Sequence, residues 1–235
     1  PPAALAFIIA TGFVADSTSL PLIISNLVNI VSANYFDISF GRYAAVMVPV
    51  NLASLAATLI VLWLAFGRKI PSRYSVESLD QPRTAIKDPL IFRSAFPLLA
   101  VLLIAYFFTA PLDMPVSWVT MAAAVCLMAV AGRWWSPGRG AVVSVGLALR
   151  HAPWQIVLFS LGMYLVVYGL GNAGLTHYGA GALQWLAQQG DFVATVGTGF
   201  LSAFVASVMN NLPSTLVGVL AIDQSQVPAT TQELM

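Results

Sequence analysis

Two short stretches hold the side chains that could do chemistry. The first, ADSTSLPLIISNLVN over residues 15–29, supplies one acid, Asp16, the hydroxyls of Ser17, Thr18 and Ser19, and the amides of Asn26 and Asn29, around the helix breaker Pro21. The second, MNNLPSTLVG over 209–218, supplies Asn210, Asn211, Ser214 and Thr215 around a second breaker, Pro213. An asparagine amide offers both a donor and an acceptor without net charge, and a hydroxyl can play either part, so this pool suits a neutral polyhydroxylated solute or exposed helix ends. Asp16 is the one member that can exchange a proton. A carboxylate at the centre of a membrane helix costs roughly 2.5–3.5 kcal/mol even on insertion scales, so it must face protein or water, or take up a proton. That assigns Asp16 to proton coupling, with capping of a half-helix as the alternative role.

Other chemistries find no residues to carry them. Cys126 stands alone among Ala, Val and Leu, which excludes an intrachain disulfide and a CxxC metal site. His151 and His177 lack a nearby second ligand, so no metal site, catalytic group or cofactor is assigned. A phosphate-cradling glycine loop is missing too, so the chain does not supply its own ATPase, and nothing points to nucleic acid.

The elements that must position the two polar stretches are membrane helices. Hydrophobic residues make up 59% of the 235 and charged residues 8%, whereas a soluble domain carries roughly a quarter charged, so the solvent for most of this chain is lipid. Residues 44–66 form a run without a charge, long enough at about 1.5 Å per residue to cross a hydrocarbon layer of roughly 30 Å. Further spans are expected at 94–110, 114–131 and 152–170. Residues 2–14 and 192–222 are apolar too, but each runs into one of the polar interruptions. Barrel strands would alternate polar and apolar positions, and 44–66 does not.

Charge sets the orientation. Arg68, Lys69, Arg73, Arg83, Lys87 and Arg93 lie in one connection and Arg133, Arg139 and Arg150 in another, separated by two spans. Nine of the ten basic residues therefore share one face, which the positive-inside tendency assigns to the cytoplasm; Arg42 is the exception. Residues 67–93, with Glu77, Asp80, Asp88 and three prolines, read as a solvated cytoplasmic linker. The chain opens on Pro1-Pro2, already apolar, and is expected to be an internal portion of a longer transporter.

A proline inside a span withholds one amide hydrogen and frees a carbonyl, near residue 17 for Pro21. Asn26 and Asn29, three apart, are expected on one helical face. Asn210 and Asn211 point about 100° apart, so at least one is expected to face the interior. Two broken, polar-cored segments in different halves of a chain are the mark of inverted-repeat transporters, in which half-helix ends hold the substrate near the midplane. The fold class expected is an all-α polytopic membrane protein, a partial inverted-repeat transporter with discontinuous helices or re-entrant hairpin segments.

GFVADSTSLPLIISNLVNIVSANYF at 12–36, VMVPV at 46–50, APWQIVLFSLGMYLVVYGLGNAGLT at 152–176 and MNNLPSTLVG at 209–218 are similar to the bacterial arsenical pump membrane proteins, the ArsB family of arsenite and antimonite efflux carriers. The resemblance implies two inverted repeats, each with a re-entrant hairpin and a broken helix, in the bacterial inner membrane. It also implies export driven by proton entry, and association with a soluble arsenite-stimulated ATPase (ArsA-like). On it, 1–66 is the C-terminal part of the first repeat, with the broken helix at 15–32, and 94–235 is the N-terminal part of the second, with the hairpin at 207–218. The first repeat's hairpin and the second repeat's broken helix belong to the remainder of the transporter. Arsenite at neutral pH is largely an uncharged trihydroxide, which matches hydroxyls and amides, and a three-sulfur arsenic site cannot be built on one cysteine. The competing readings are a sodium- or proton-coupled carrier of another organic or inorganic anion, and a membrane anchor for a cytoplasmic ATPase.

Overall fold

The computed structural model describes residues 2–70, 81, 84, 86–135 and 143–232. Every regular element among them is helical: α1 Pro2–Ser17, α2 Leu27–Tyr35, α3 Phe40–Phe66, α4 Pro89–Phe107, α5 Val116–Gly132, α6 Val145–Arg150, α7 Trp154–Asn172, α8 Leu175–Gln188, α9 Asp191–Met209, α10 Asn211–Gln224 and α11 Ala229–Gln232. Four helices are long and apolar enough to cross a membrane: Phe40–Phe66, Pro89–Phe107, Val145–Asn172 and Asp191–Met209. In Phe40–Phe66 only 6% of the most apolar window is buried inside the protein. Leu52, Leu59, Ile60, Val61, Trp63 and Leu64 all point outward. Such a surface is stable only where the surrounding medium is itself apolar.

Spans lie within a few residues of their expected places, and local chemistry explains the offsets. α4 begins at Pro89 rather than 94 because Asp88 caps it, accepting from the amides of Leu90 at 2.9 Å and Ile91 at 3.4 Å, while Pro89 fills the first helical position. α3 begins at Phe40 because the Ser39 hydroxyl accepts from the Arg42 amide at 3.4 Å. The short helices α6 and α11 were not expected from the sequence, nor was the longer α8, whose two glycines and polar Thr176, Gln184 and Gln188 obscure its pattern. Of the linker at 67–93, residues 71–80, 82, 83 and 85 lie outside the described residues, Arg73 and Arg83 among them, as does Arg139.

The chain divides into two compact units, one formed by 1–23 and 39–152, the other by 24–38 and 153–235. In the first, α1 packs on α3, and α4 forms a hairpin with α5. That hairpin is closed at its base by Asp88, which accepts from Arg133 at 3.2 Å; the Asp88 side chain is 4% exposed. At the other end, Phe40 packs tilted against Tyr106 and edge-to-face against Phe107, and the Tyr106 hydroxyl meets that of Thr120 at 2.9 Å.

In the second unit α10 is the hub, packed on α2, α7, α8 and α9. Its residues Leu212 and Leu216 join Val31 of α2 and Val167 of α7 in a buried cluster, with Val28, Met163, Val217 and Leu220 around it. α8 comes closest: a Cβ on Gly179 would stand 3.0 Å from that of Ala221. Small residues allow this close backbone approach, on which helix association in lipid depends.

Candidate functional site

The first polar stretch breaks a helix, as its proline requires. α1 stops at Ser17, the residue whose carbonyl Pro21 cannot bond, and residues 18–22 run as turn and bend into a single 3-10 turn at Ile23–Ser25 before α2. The hydroxyls at the break turn back onto α1. Thr18 Oγ1 donates to the Val14 carbonyl at 2.6 Å, Ser17 Oγ to the same carbonyl at 3.4 Å, and Ser19 Oγ to the Asp16 carbonyl at 2.8 Å. Their protons are committed to the carbonyl end of the helix, so for anything else they offer lone pairs only.

Asp16 itself is exposed in the last turn of α1. Carbonyls, not amides, are unpaired at that end of a helix, so an acid there has no N–H to cap. The cap of the next helix is Asn26, in extended backbone (φ −148°, ψ 150°), whose Oδ1 accepts from the Val28 amide at 3.4 Å. Asn26 precedes the helix, and Asn29 lies in its first turn, buried.

The second stretch breaks one residue earlier than the segment's helical start, and not at its proline. Asn210 sits at φ 78°, ψ 155° between α9 and α10, a region open essentially to glycine alone and costing about 1–3 kcal/mol for other residues. Pro213, expected to break the helix, is the third residue of α10, where a missing amide hydrogen costs nothing. The Ser214 amide returns to the Asn210 carbonyl at 3.3 Å, leaving the amides of Asn211 and Leu212 without an intrahelical acceptor. Ser214 Oγ donates to the carbonyls of Asn210 at 2.6 Å and Asn211 at 3.0 Å. Thr215 is half-buried, while the side chains of Asn210 and Asn211 are exposed.

α2 and α10, far apart in sequence, run side by side in the same direction. Their C-terminal ends are joined by Tyr35, whose hydroxyl donates to Asp223 at 3.0 Å. Toward their N-terminal ends, Val28 and Val31 share the cluster with Leu212 and Leu216. Asn26 thus lies at the same end of the pair as Asn210 and Asn211. Two helix N-termini, each the positive end of its dipole, and three asparagines make a place that attracts oxygen atoms, neutral or anionic. Asp16 and Ser17 to Ser19 belong to the other unit.

Sequence reasoning overlooked two buried groups. The Oδ1 of Asn51 in α3 and the Oγ1 of Thr198 in α9 have no hydrogen-bond partner among the described residues. Asn51 follows Pro49 by two positions in a span, a combination of polar residue and proline that could have drawn attention to it. Between α1 and α3, a cleft of about 500 Å³ lined by Ala6, Phe7, Ala10, Val14, Leu59 and Trp63 among others is apolar throughout. A polyhydroxylated solute there would bury its hydroxyls unpaired, so the cleft is not the candidate site.

The family model of the arsenical pump membrane protein (ArsB) matches residues 3–235. The chain belongs to this family. It is 53% identical to the arsenical pump membrane protein of Yersinia enterocolitica over 231 residues, which cover 98% of this chain and 52% of that protein. The arsenical pump membrane protein of Shigella flexneri is 52% identical over the same shares. The chain thus spans about half the length of the curated relatives it matches. No solved structure gives a significant match. Family membership and the four spans make this a multi-pass protein of the bacterial inner membrane.

Proposed function

We propose that this chain forms about half of a secondary carrier that exports arsenite or antimonite from the bacterial cytoplasm, with proton entry as the driving force. One observation supports the reading most: the paired N-terminal ends of α2 and α10 present Asn26, Asn210 and Asn211, uncharged donors and acceptors, in a chain of the arsenical pump family. In this reading α1, the break and α2 are the broken helix of the first inverted repeat. The re-entrant hairpin of the second is 207–218, where α9 ends and α10 begins, and 67–93 is the cytoplasmic connection. The remainder of the transporter supplies the complementary hairpin and broken helix. Asn210 and Asn211 are the leading ligands, since Ser17, Thr18, Ser19 and Ser214 give their protons to their own helices. Asn26, Asn29 and Thr215 complete the pool, and a soluble ATPase is a partner that could make export ATP-coupled.

Asp16 is the proton-coupling acid of this proposal. Arsenite uptake by everted vesicles carrying the full-length parent should follow an imposed pH gradient without ATP, and Asp16→Asn should flatten its pH dependence at equal protein level. An unchanged rate and an unchanged profile would remove Asp16 from the mechanism. Transport only with ATP and a soluble subunit would favour the anchor reading. Transport of an anion with no arsenite uptake would favour the anion carrier, for which the same helix N-termini serve as the positive ends.

A further inference from the structure

The half-helix pair that carries the candidate site is fastened at its far end by a side-chain bond, and we infer that this bond, Tyr35 to Asp223, is the outer latch of the carrier. The inference rests on the transport reading of the pair.

Orientation follows from the chain itself. The span Val145–Asn172 carries Arg150 near its start, so that end is cytoplasmic and Asn172 is at the outer face. Thr176, four residues on and wholly buried, donates to Gln224 Oε1 at 2.8 Å. The C-terminal end of α10 is therefore at the outer face, and Asp223 with it. Tyr35, bonded to Asp223 at 3.0 Å, closes the outer end of α2 against it.

The two helices are held differently. α10 is clamped by α7, α8 and α9, and its outer end is tied further by Thr176 and by Gln232, whose amide donates to the Ser225 carbonyl at 3.2 Å. α2 is a nine-residue helix with non-α backbone on both sides: the break and its 3-10 turn before it, and residues 36–39 after it, where Asp37 adopts φ 50°. Such flanks are where backbone rotation is absorbed when an element swings. An outward swing of α2 would part Val28 and Val31 from Leu212 and Leu216 and open the seam above the asparagines to the outer side. Tyr35 and Asp223 are positioning residues in this scheme and do not touch substrate.

The test reads access to the seam and requires no arsenite. In the full-length parent, with Cys126→Ala and any other cysteines replaced, Val217→Cys places one thiol beside the cluster. Its labelling by a membrane-impermeant maleimide is timed in right-side-out vesicles. Loss of one hydrogen bond should speed labelling about fivefold in Tyr35→Phe and in Asp223→Ala, which leaves the hydroxyl no acceptor, and the double variant should be no faster than either. Asp223→Glu, still an acceptor for Tyr35, should label at the reference rate. Equal rates in the reference, Tyr35→Phe and Asp223→Ala would overturn the latch. So would Asp223→Glu labelling as fast as Asp223→Ala, which would indicate general loosening. Should Tyr35→Phe fail to reach the membrane, the Asp223 pair decides alone. A parent that labels as expected but moves no arsenite would sink the transport reading and leave the latch standing.

Discussion

At the scale of single residues, the most informative position is Asn210. A non-glycine residue at φ 78°, ψ 155° is held there by its surroundings, and here those are a helix end on one side and an unpaired helix start on the other. If the side chain serves the substrate, stability and function should separate. Asn210→Gly should raise the stability of the full-length parent in detergent by about 1 kcal/mol, since relief of strain outweighs the entropic cost of glycine. The same change should weaken arsenite binding, because the amide is gone. Thermal unfolding and direct binding on one preparation check both parts, and a stabilised variant with unaltered affinity would leave Asn210 a backbone role only.

At the scale of elements, the α4–α5 hairpin shows how a membrane hairpin can be fixed at a cytoplasmic end. Asp88 does two things at once: it caps α4 through the amides of Leu90 and Ile91, and it meets Arg133, which ends α5 in a left-handed conformation (φ 49°). Asp88→Ala removes both and leaves Arg133 partly buried without its acid, an expected loss of about 2–3 kcal/mol. Asp88→Asn keeps a good cap and loses only the charge, so it should cost about 1 kcal/mol. Combining Asp88→Asn with Arg133→Met in a double-mutant cycle isolates the pair, and additivity of the two single changes would show that it contributes nothing.

At the scale of the whole molecule, these 235 residues are about half the length of their relatives. The candidate site offers two half-helix ends, whereas a carrier of two inverted repeats is expected to draw on four such elements. Residues 1–235 expressed alone should therefore confer no arsenite efflux on cells lacking other exporters, while the full-length parent at equal membrane abundance should. Intracellular arsenic after a fixed exposure distinguishes them. Proton-dependent efflux by residues 1–235 alone would show that the half-site is sufficient.

Much of this was legible in the sequence because the governing costs are local. Lipid penalises every unpaired amide and every charge, so the spans, the break before Pro21 and the break near Asn210 announce themselves in short windows of composition. Burial was not legible, since lipid-facing and core-facing positions are equally apolar and no amphipathic stripe marks which side of α3 or α7 meets protein. Nor could spacing reveal which carbonyls the hydroxyls of Ser17, Thr18, Ser19 and Ser214 bond, or that Asn26 caps α2. Only the tertiary structure brings Tyr35 to Asp223 across 188 positions and Asp88 to Arg133 across 45. Such pairings leave no periodicity in a single chain, because what selects them is the three-dimensional fit of whole helices, and the energy of that fit is spread over residues that look alike one at a time.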